Sequence, residues 1–220
     1  MKNLKIVYWS DYACPYCYIA EARLKKAIAA LKNEKNDVEI ATEMKSFQLD
    51  VNAPLKANGD TQTRFALKYG ISLAAAGRQI ENISRMGEFE GLKFRYATTL
   101  FTNTMDAHRL TKLVQTKHDT KLTERVINNL FAAYFSENLE LADHGVLRKI
   151  GIDAGLVSRE VDELLASDRF ESEVRADELE AHNRNIHAVP FFVINDTQNI
   201  SGAAPTEQMI SVLKEACHVL

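Results

Sequence analysis

The sequence has few cysteines, little excess charge and no long apolar run, and each shortage excludes a class of protein. Three cysteines in 220 residues are too few for the disulfide framework of a small secreted domain. A formal net charge of −3 gives no electrostatic reason to expect binding to nucleic acid or to an anionic membrane. No window approaches the length of a membrane span, and the first residues lack the basic lead and apolar core of a secretory signal. We therefore expect a cytoplasmic protein with neither nucleic acid nor membrane as a partner.

The chain does have enough apolar material for a sizeable core. Hydrophobic residues make up 46% and charged residues 26% of its length, which is typical of a globular protein. The sequence contains no internal repeat and no low-complexity tract. These observations predict one large domain or two smaller ones.

Strand-like segments lie at the two ends of the chain. The predicted elements there are strand 4–9, helix 14–33, strand 37–47, strand 190–195, strand 200–201 and helix 205–217. The first three form a βαβ start, which implies parallel strands and a right-handed crossover.

The middle of the chain reads as helix, interrupted by Gly, Asn and Asp. The predicted helices are Gln62–Tyr69, Leu73–Met86, Met105–Lys117, Leu122–Ser136, His144–Ala154, Arg159–Ala166 and Phe170–Asn185. Residues 91–103 are expected to form an extended loop. The acidic residues between 171 and 180 are expected on a solvated helix face.

Together the elements predict an α/β fold in which a sheet domain carries a large, all-helical insertion. The sheet domain would comprise residues 1–57 and 186–220, and the insertion residues 58–185.

The segment Cys14-Pro15-Tyr16-Cys17 lies directly after an apolar run and directly before the first predicted helix. Two thiols three residues apart in a first helical turn can close a disulfide with little rearrangement. The unpaired N–H groups and the positive dipole end of the helix stabilise a Cys14 thiolate, so Cys14 is expected to be the attacking sulfur. Pro15 suits an early helical position because its missing N–H would have no partner there.

Two other interpretations of the cysteine pair are weaker. A zinc site would need two more ligands, but only Cys217 remains, and the one suitably spaced histidine pair, His182 and His187, has no thiol beside it. A purely structural disulfide belongs to oxidising compartments and small secreted domains. We therefore expect no metal, and Cys217 is expected to be a buried small hydrophobe.

A strand, a CxxC helix, a strand and a late Val-Pro pair together resemble the thioredoxin fold, and the helical insertion is similar to that of the DsbA family. Four segments resemble its FrnE-like branch, and the resemblance covers nearly the whole chain. The segments are Ser10–Tyr18, Asn103–Leu110, Leu130–Phe135, and Val189–Val193 with Ser201–Ala203.

The resemblance implies a thiol–disulfide oxidoreductase in which Cys14 is an exposed nucleophile and Cys17 a buried resolving thiol. Pro190 matches the family's cis-proline facing the disulfide, whereas base rates alone favour an ordinary trans-proline at a strand entrance. A cis bond would turn the Val189 backbone toward an extended substrate. Pro15 and Tyr16 complete the expected substrate contacts, although Tyr16 could instead shield the couple from water.

The sequence departs from the family pattern six residues before Cys14, where many thioredoxin-fold enzymes have a buried carboxylate and this chain has Tyr8. Asp11, His187 or water are the remaining candidates for proton transfer or for tuning the pKa of the pair. Asp11 also fits an ordinary turn residue, and His187 a solvated residue after the last insertion helix. Ala188 replaces the usual Gly before the Val-Pro pair.

The expected reaction is thiol–disulfide exchange with protein or peptide thiols and disulfides, through a mixed disulfide. The redox pair would need no other cofactor, and glutathione is a candidate electron donor. Sequence does not decide the direction of electron flow, although a reducing cytosol favours reductase or isomerase work. Two alternatives stay open: a glutathione-dependent transferase or isomerase of the kappa or 2-hydroxychromene-2-carboxylate isomerase type, whose members carry serine in place of Cys14, and a chaperone-like peptide-binding module without redox activity.

Overall fold

The computed structural model describes residues 2–34 and 38–218. In chain order the elements are β1 (Lys2–Ser10), α1 (Pro15–Glu34), β2 (Val38–Ser46), α2 (Thr61–Tyr69), α3 (Leu73–Phe89), a 3-10 turn (Tyr96–Thr98), α4 (Met105–Gln115), α5 (Thr120–Phe135), α6 (His144–Ala154), α7 (Ser158–Leu165), α8 (Glu171–Asn183), β3 (Phe191–Ile194), β4 (Gln198–Ser201) and α9 (Thr206–His218). Every helix and strand predicted from the sequence is present in this order.

The chain divides into two compact units, Met1–Phe47 with Asp177–Leu220, and Gln48–Ala176. The boundaries predicted from the sequence lie further along the chain, after residues 57 and 185. Within the second unit, the side chain of Asn103 binds the carbonyl oxygens of Val51 (3.1 Å) and Ala53 (3.4 Å). These bonds explain why the segment after residue 47 belongs with the helices.

The first unit contains a four-stranded sheet in the order β2-β1-β3-β4. β1 runs parallel to β2 and antiparallel to β3, and β3 runs antiparallel to β4. The parallel β1–β2 pair confirms the βαβ start. The mixed sheet and its helices form the α/β thioredoxin-like fold expected from the motifs.

The central strand β1 is buried on both of its faces. Val7 and Trp9 pack with Ala181, Ile186 and Val193 on one face. Because side chains alternate along a strand, Tyr8 points to the opposite face, where its ring stacks on that of Phe192 at 5.4 Å between centroids. Burial of both faces explains why this strand reads as a continuous apolar run.

The acidic face expected between residues 171 and 180 is only partly solvated, which corrects the sequence interpretation. Asp177 is 6% exposed and accepts a hydrogen bond from the Ser46 N–H at 2.7 Å. Its backbone carbonyl accepts from the Trp9 indole N–H at 3.0 Å, and the Lys45 ammonium lies 3.7 Å from its carboxylate. Asp177 is therefore part of the core of the first unit.

The regular elements of the second unit are all helices, and polar N-cap residues precede several of them. Asp60, Ser72, Asp119 and Asp143 each accept a backbone N–H in the first turn of α2, α3, α5 and α6, as N-cap residues do. The expected loop over residues 91–103 contains the 3-10 turn, because Tyr96 is buried there in a cluster of aromatic rings.

Within the Asn103–Leu110 motif, Arg109 has a structural role. Its guanidinium is buried and donates to the carbonyl oxygens of Leu164 (2.7 Å), Arg169 (2.8 Å) and Ser167. It also pairs with Asp106 at 2.6 Å. Each of these partners lies in the second unit, so this part of the motif stabilises the end of α7 and the turn that follows it.

Candidate active site

The redox pair lies where β1 passes into α1. Cys14 immediately precedes the helix, and its carbonyl accepts the N–H groups of Cys17 (3.1 Å) and Tyr18 (3.4 Å), while its own N–H donates to the Asp11 carbonyl at 3.1 Å. The helix-start position predicted for Cys14 is confirmed. Both cysteines are free thiols.

Cys14 is buried, contrary to the exposed position expected from the family resemblance. Its exposed fraction is 3%, close to the 2% of Cys17. The reason is that its thiol faces the chain before β3, with the sulfur 3.6 Å from the Val189 carbonyl oxygen. The Cys14 sulfur thus lies against a backbone carbonyl that an extended ligand could also approach.

The Val189–Pro190 peptide bond is cis, as the family resemblance implied. Pro190 is buried and directly precedes β3, and its carbonyl accepts the Gly202 N–H at 2.8 Å. Because proline has no N–H to contribute to a strand ladder, it fits this entrance position. The cis-proline loop and the start of α1 therefore meet at the Cys14 sulfur.

The surroundings of Cys17 favour its protonated thiol. Burial raises the pKa of the Cys17 thiol well above its usual value, and the hydrogen bond and charge of Cys14 raise it further. Hydrogen bonds from Ser10 and the Asp11 backbone oppose this shift but are weaker. Burial therefore favours the protonated form of Cys17, whose thiol hydrogen-bonds to Cys14.

The predicted tuning residues have different surroundings. Asp11 is 1% exposed, and its carboxylate accepts the Ala13 N–H at 3.3 Å, which matches the turn role considered for it. The ring of His187 is exposed, and its centroid lies 6.2 Å from that of the His182 ring. The backbone of Asp11 hydrogen-bonds to Cys17, so Asp11 touches the redox pair through its main chain.

The residues predicted to contact substrate differ in their exposure. Pro15 is buried in the first turn, whereas Tyr16 is 40% exposed. Val189 is partly buried and Pro190 buried. An exposed aromatic ring next to the buried thiols is suited to contact a ligand.

Glu21 is a buried carboxylate that sequence reasoning missed. It is 5% exposed and follows Cys17 by four residues on α1, so both side chains lie on one helix face. One carboxylate oxygen is 3.4 Å from the Lys25 ammonium, and the other, Oε2, accepts no hydrogen bond from the described residues. Its i+4 spacing from Cys17 was the signal available in the sequence.

Residues 2–34 and 38–218 contain neither a metal-ligand cluster nor a membrane-crossing helix. No group of three or more His, Cys, Asp or Glu side chains there could hold a metal ion. Within the same residues, no helix has the length and apolar character that crossing a membrane requires.

A family model for the DSBA-like thioredoxin domain matches residues 5–214. Among solved structures, the chain is similar to a probable DsbA oxidoreductase from Streptomyces coelicolor, with 32% identity and a TM-score of 0.88 over 97% of this chain and 89% of that one. No curated protein matches the chain by sequence.

Two more distant structures have the same fold. A 2-hydroxychromene-2-carboxylate isomerase is 13% identical, with a TM-score of 0.71 over 98% of this chain and 97% of that one. The cytosolic disulfide reductase DsbM from Pseudomonas aeruginosa, solved with GSH, is 14% identical, with a TM-score of 0.59 over 98% and 96%. At these identities the similarity concerns the fold alone.

Proposed function

The chain belongs to the family of DSBA-like thioredoxin domains, and on that premise we propose that it is a thiol–disulfide oxidoreductase acting through Cys14 and Cys17. One observation carries the proposal: the Cys14 thiol lies at a helix start, hydrogen-bonded to Cys17 and 3.6 Å from the Val189 carbonyl. This combination provides a nucleophile, a resolving thiol and a backbone group for substrate. The FrnE-like branch stays a prediction.

In the reductive direction, the Cys14 thiolate attacks a substrate disulfide and forms a mixed disulfide, which Cys17 then displaces. The first step releases one substrate thiolate and the second releases the other. The cysteine pair is oxidised by two electrons, and the substrate disulfide is reduced. The oxidative direction follows the same steps in reverse.

The substrate would lie extended along the cis-proline loop. The Val189 backbone is the group with which an extended peptide pairs, in the manner of an added strand. Pro15, Tyr16 and Pro190 would contact its side chains. Because pairing with the Val189 backbone does not depend on the substrate's side chains, we expect a range of protein and peptide disulfides to be accepted.

Glutathione is the proposed electron donor, and the cytoplasm the proposed compartment. The fold-level neighbour DsbM is described as a cytosolic disulfide reductase and was solved with GSH, which supports both points. A reducing compartment would keep an average couple reduced and favour reductase or isomerase work. Titration of the pair in glutathione buffers measures its reduction potential and decides the direction.

The test is catalysis of insulin disulfide reduction by the native chain and by C14S, with C217S as the matched control. Cys217 is a buried cysteine outside the motif and outside any disulfide, so C217S removes a cysteine but leaves the redox pair. We expect C14S to lose catalysis and C217S to retain it.

Other outcomes identify the alternatives. Equal insulin reduction by C14S and the native chain would rule out the dithiol mechanism. Suppression of aggregation that survives in C14S would favour the chaperone-like module. Turnover that depends on glutathione and persists without Cys17 would favour the transferase or isomerase type.

A further inference from the structure

We propose that Glu21 accepts the proton of Cys17 when Cys17 displaces substrate from Cys14. This inference rests on the proposed oxidoreductase function and adds a residue to its second step. Many thioredoxin-fold enzymes have a buried carboxylate six residues before the first cysteine, where this chain has Tyr8. The proposal gives Glu21 the role of proton acceptor that this missing carboxylate would have.

The second step needs a base because the thiolate, not the thiol, attacks a disulfide. Cys17 is 2% exposed, and its burial keeps it protonated, as its raised pKa indicates. Solvent therefore has little access to its proton. A tyrosine phenol ordinarily keeps its own proton up to a pKa of about 10, so Tyr8 is a poor acceptor near neutral pH.

The helix places Glu21 close to Cys17. Residues four apart on an α-helix are neighbours, with about 5–6 Å between their Cβ atoms. Helical side chains usually lean toward the N-terminus, a direction that would bring the Glu21 carboxylate over the turn that contains Cys17. The other nearby carboxylate, that of Asp11, accepts the Ala13 N–H.

The bonding of Glu21 leaves one oxygen available. Lys25 lies 3.4 Å from Oε1 and restricts the position of the carboxylate. Oε2 is buried and accepts no hydrogen bond from the described residues. Buried acceptors in folded proteins are nearly always bonded, and an exception calls for an explanation such as a role in catalysis. A proton delivered from Cys17 would satisfy this oxygen.

A pH profile of the second step can also report other titratable groups on α1 and on the elements near it. The other charged residues of α1, and those of α9, which packs against it, are Arg23, Lys26, Lys32, Glu34, Glu207, Lys214 and Glu215. Arg23 donates to the Ala203 carbonyl, and Lys214 pairs with Glu34. Tyr8 on β1 and Asp11 in the loop before α1 complete the set.

The step balances as follows. The S–H bond of Cys17 breaks and its proton moves to Glu21 Oε2. The Cys17 sulfur attacks the Cys14 sulfur, the intramolecular S–S bond forms, and the bond from Cys14 to the substrate breaks. The substrate sulfur leaves as a thiolate with the electron pair, and the proton on Glu21 passes to the departing thiolate or to water.

Stopped-flow reaction of the reduced chain with dithiobis(nitrobenzoic acid) separates the two steps. Attack by Cys14 releases one coloured thiolate in a phase whose rate depends on reagent concentration. Attack by Cys17 releases the second in a phase that does not. We expect Glu21→Gln to slow the second phase by about 100-fold near pH 6, with a rate proportional to hydroxide concentration, while the first phase changes little.

The controls separate a chemical role from a structural one. Glu34→Gln removes a carboxylate from the same helix and should leave both phases unchanged. Glu21→Asp should restore part of the second-phase rate. An unchanged second phase and pH profile in Glu21→Gln would overturn the role of Glu21, as would equal slowing of both phases. Absence of the first phase in the native chain would instead contradict the proposed oxidoreductase function.

Discussion

Arg109 in the helical unit and Glu21 beside the redox pair are both buried charged residues, but their bonding differs. The Arg109 guanidinium reaches three backbone carbonyls and the Asp106 carboxylate. Among the described residues, Glu21 pairs with Lys25 through one carboxylate oxygen, and its other oxygen accepts no hydrogen bond. A buried charged group that is well hydrogen-bonded stabilises the fold. A buried carboxylate with an unbonded oxygen can instead accept a proton.

Asp177 shows that bonding, rather than the region of the molecule, makes this difference. It lies in the same unit as Glu21 and is similarly buried, yet it binds the Ser46 N–H and lies near the Lys45 ammonium. We therefore expect it to behave like Arg109. The following predictions test the comparison through the free energy of unfolding.

The largest loss of stability is expected for Arg109→Met. The substitution removes the Arg109 donor from three carbonyls and from the Asp106 carboxylate, which keeps its contact with His144, and breaking a buried ion pair from one side costs about 3–5 kcal/mol. Urea denaturation measures the loss, with Arg148→Met, which breaks the half-exposed Arg148–Asp162 pair, as the control. A loss no greater than that of the control would remove the structural role of Arg109.

A smaller loss is expected for Asp177→Ala, because the Ser46 N–H is left buried without an acceptor. Such a group costs about 1–3 kcal/mol. Asp177→Asn keeps an acceptor oxygen and should recover part of the loss in the same urea experiment. If the alanine variant is as stable as the native chain, Asp177 is not the core residue that its hydrogen bonds indicate.

The raised pKa of Cys17 predicts a dependence of stability on alkaline pH. The folded state favours the neutral thiol, so this contribution is fully present below the unfolded pKa of about 8.5 and is lost as pH rises toward the folded value. Between those values the free energy of unfolding should fall by up to about 1.4 kcal/mol per pH unit more in the reduced native chain than in C17A. Parallel curves for the two proteins would contradict the shift.

The smallest change in stability is expected for Glu21→Gln, which loses only the ion pair with the partly exposed Lys25. Pairs of that kind are worth about 0–1 kcal/mol. We expect Glu21→Gln to change the free energy of unfolding little but to slow the Cys17 step strongly. Arg109→Met should show the opposite, a large loss of stability. Destabilisation as large as that of Arg109→Met would place Glu21 among the structural charges instead.

Much of the fold was predictable because its signals are local. Helical periodicity and N-cap residues such as Asp119 and Asp143 identify helices from a few neighbouring residues. The cysteine spacing likewise located Cys14 at a helix start. The exposure of Cys14 and the solvated position of Asp177 were predicted wrongly, because both depend on chain segments remote in sequence.

By itself, then, the sequence determined the order of the elements, the βαβ start and a dithiol in a first helical turn, since these follow from spacing within a few residues. Only the tertiary structure decided which charges are buried and what bonds them. Asp177 meets Ser46 across 131 residues, and the Cys14 sulfur meets the Val189 carbonyl across 175. Burial and hydrogen bonding at such separations depend on packing, which removes water and brings distant groups together.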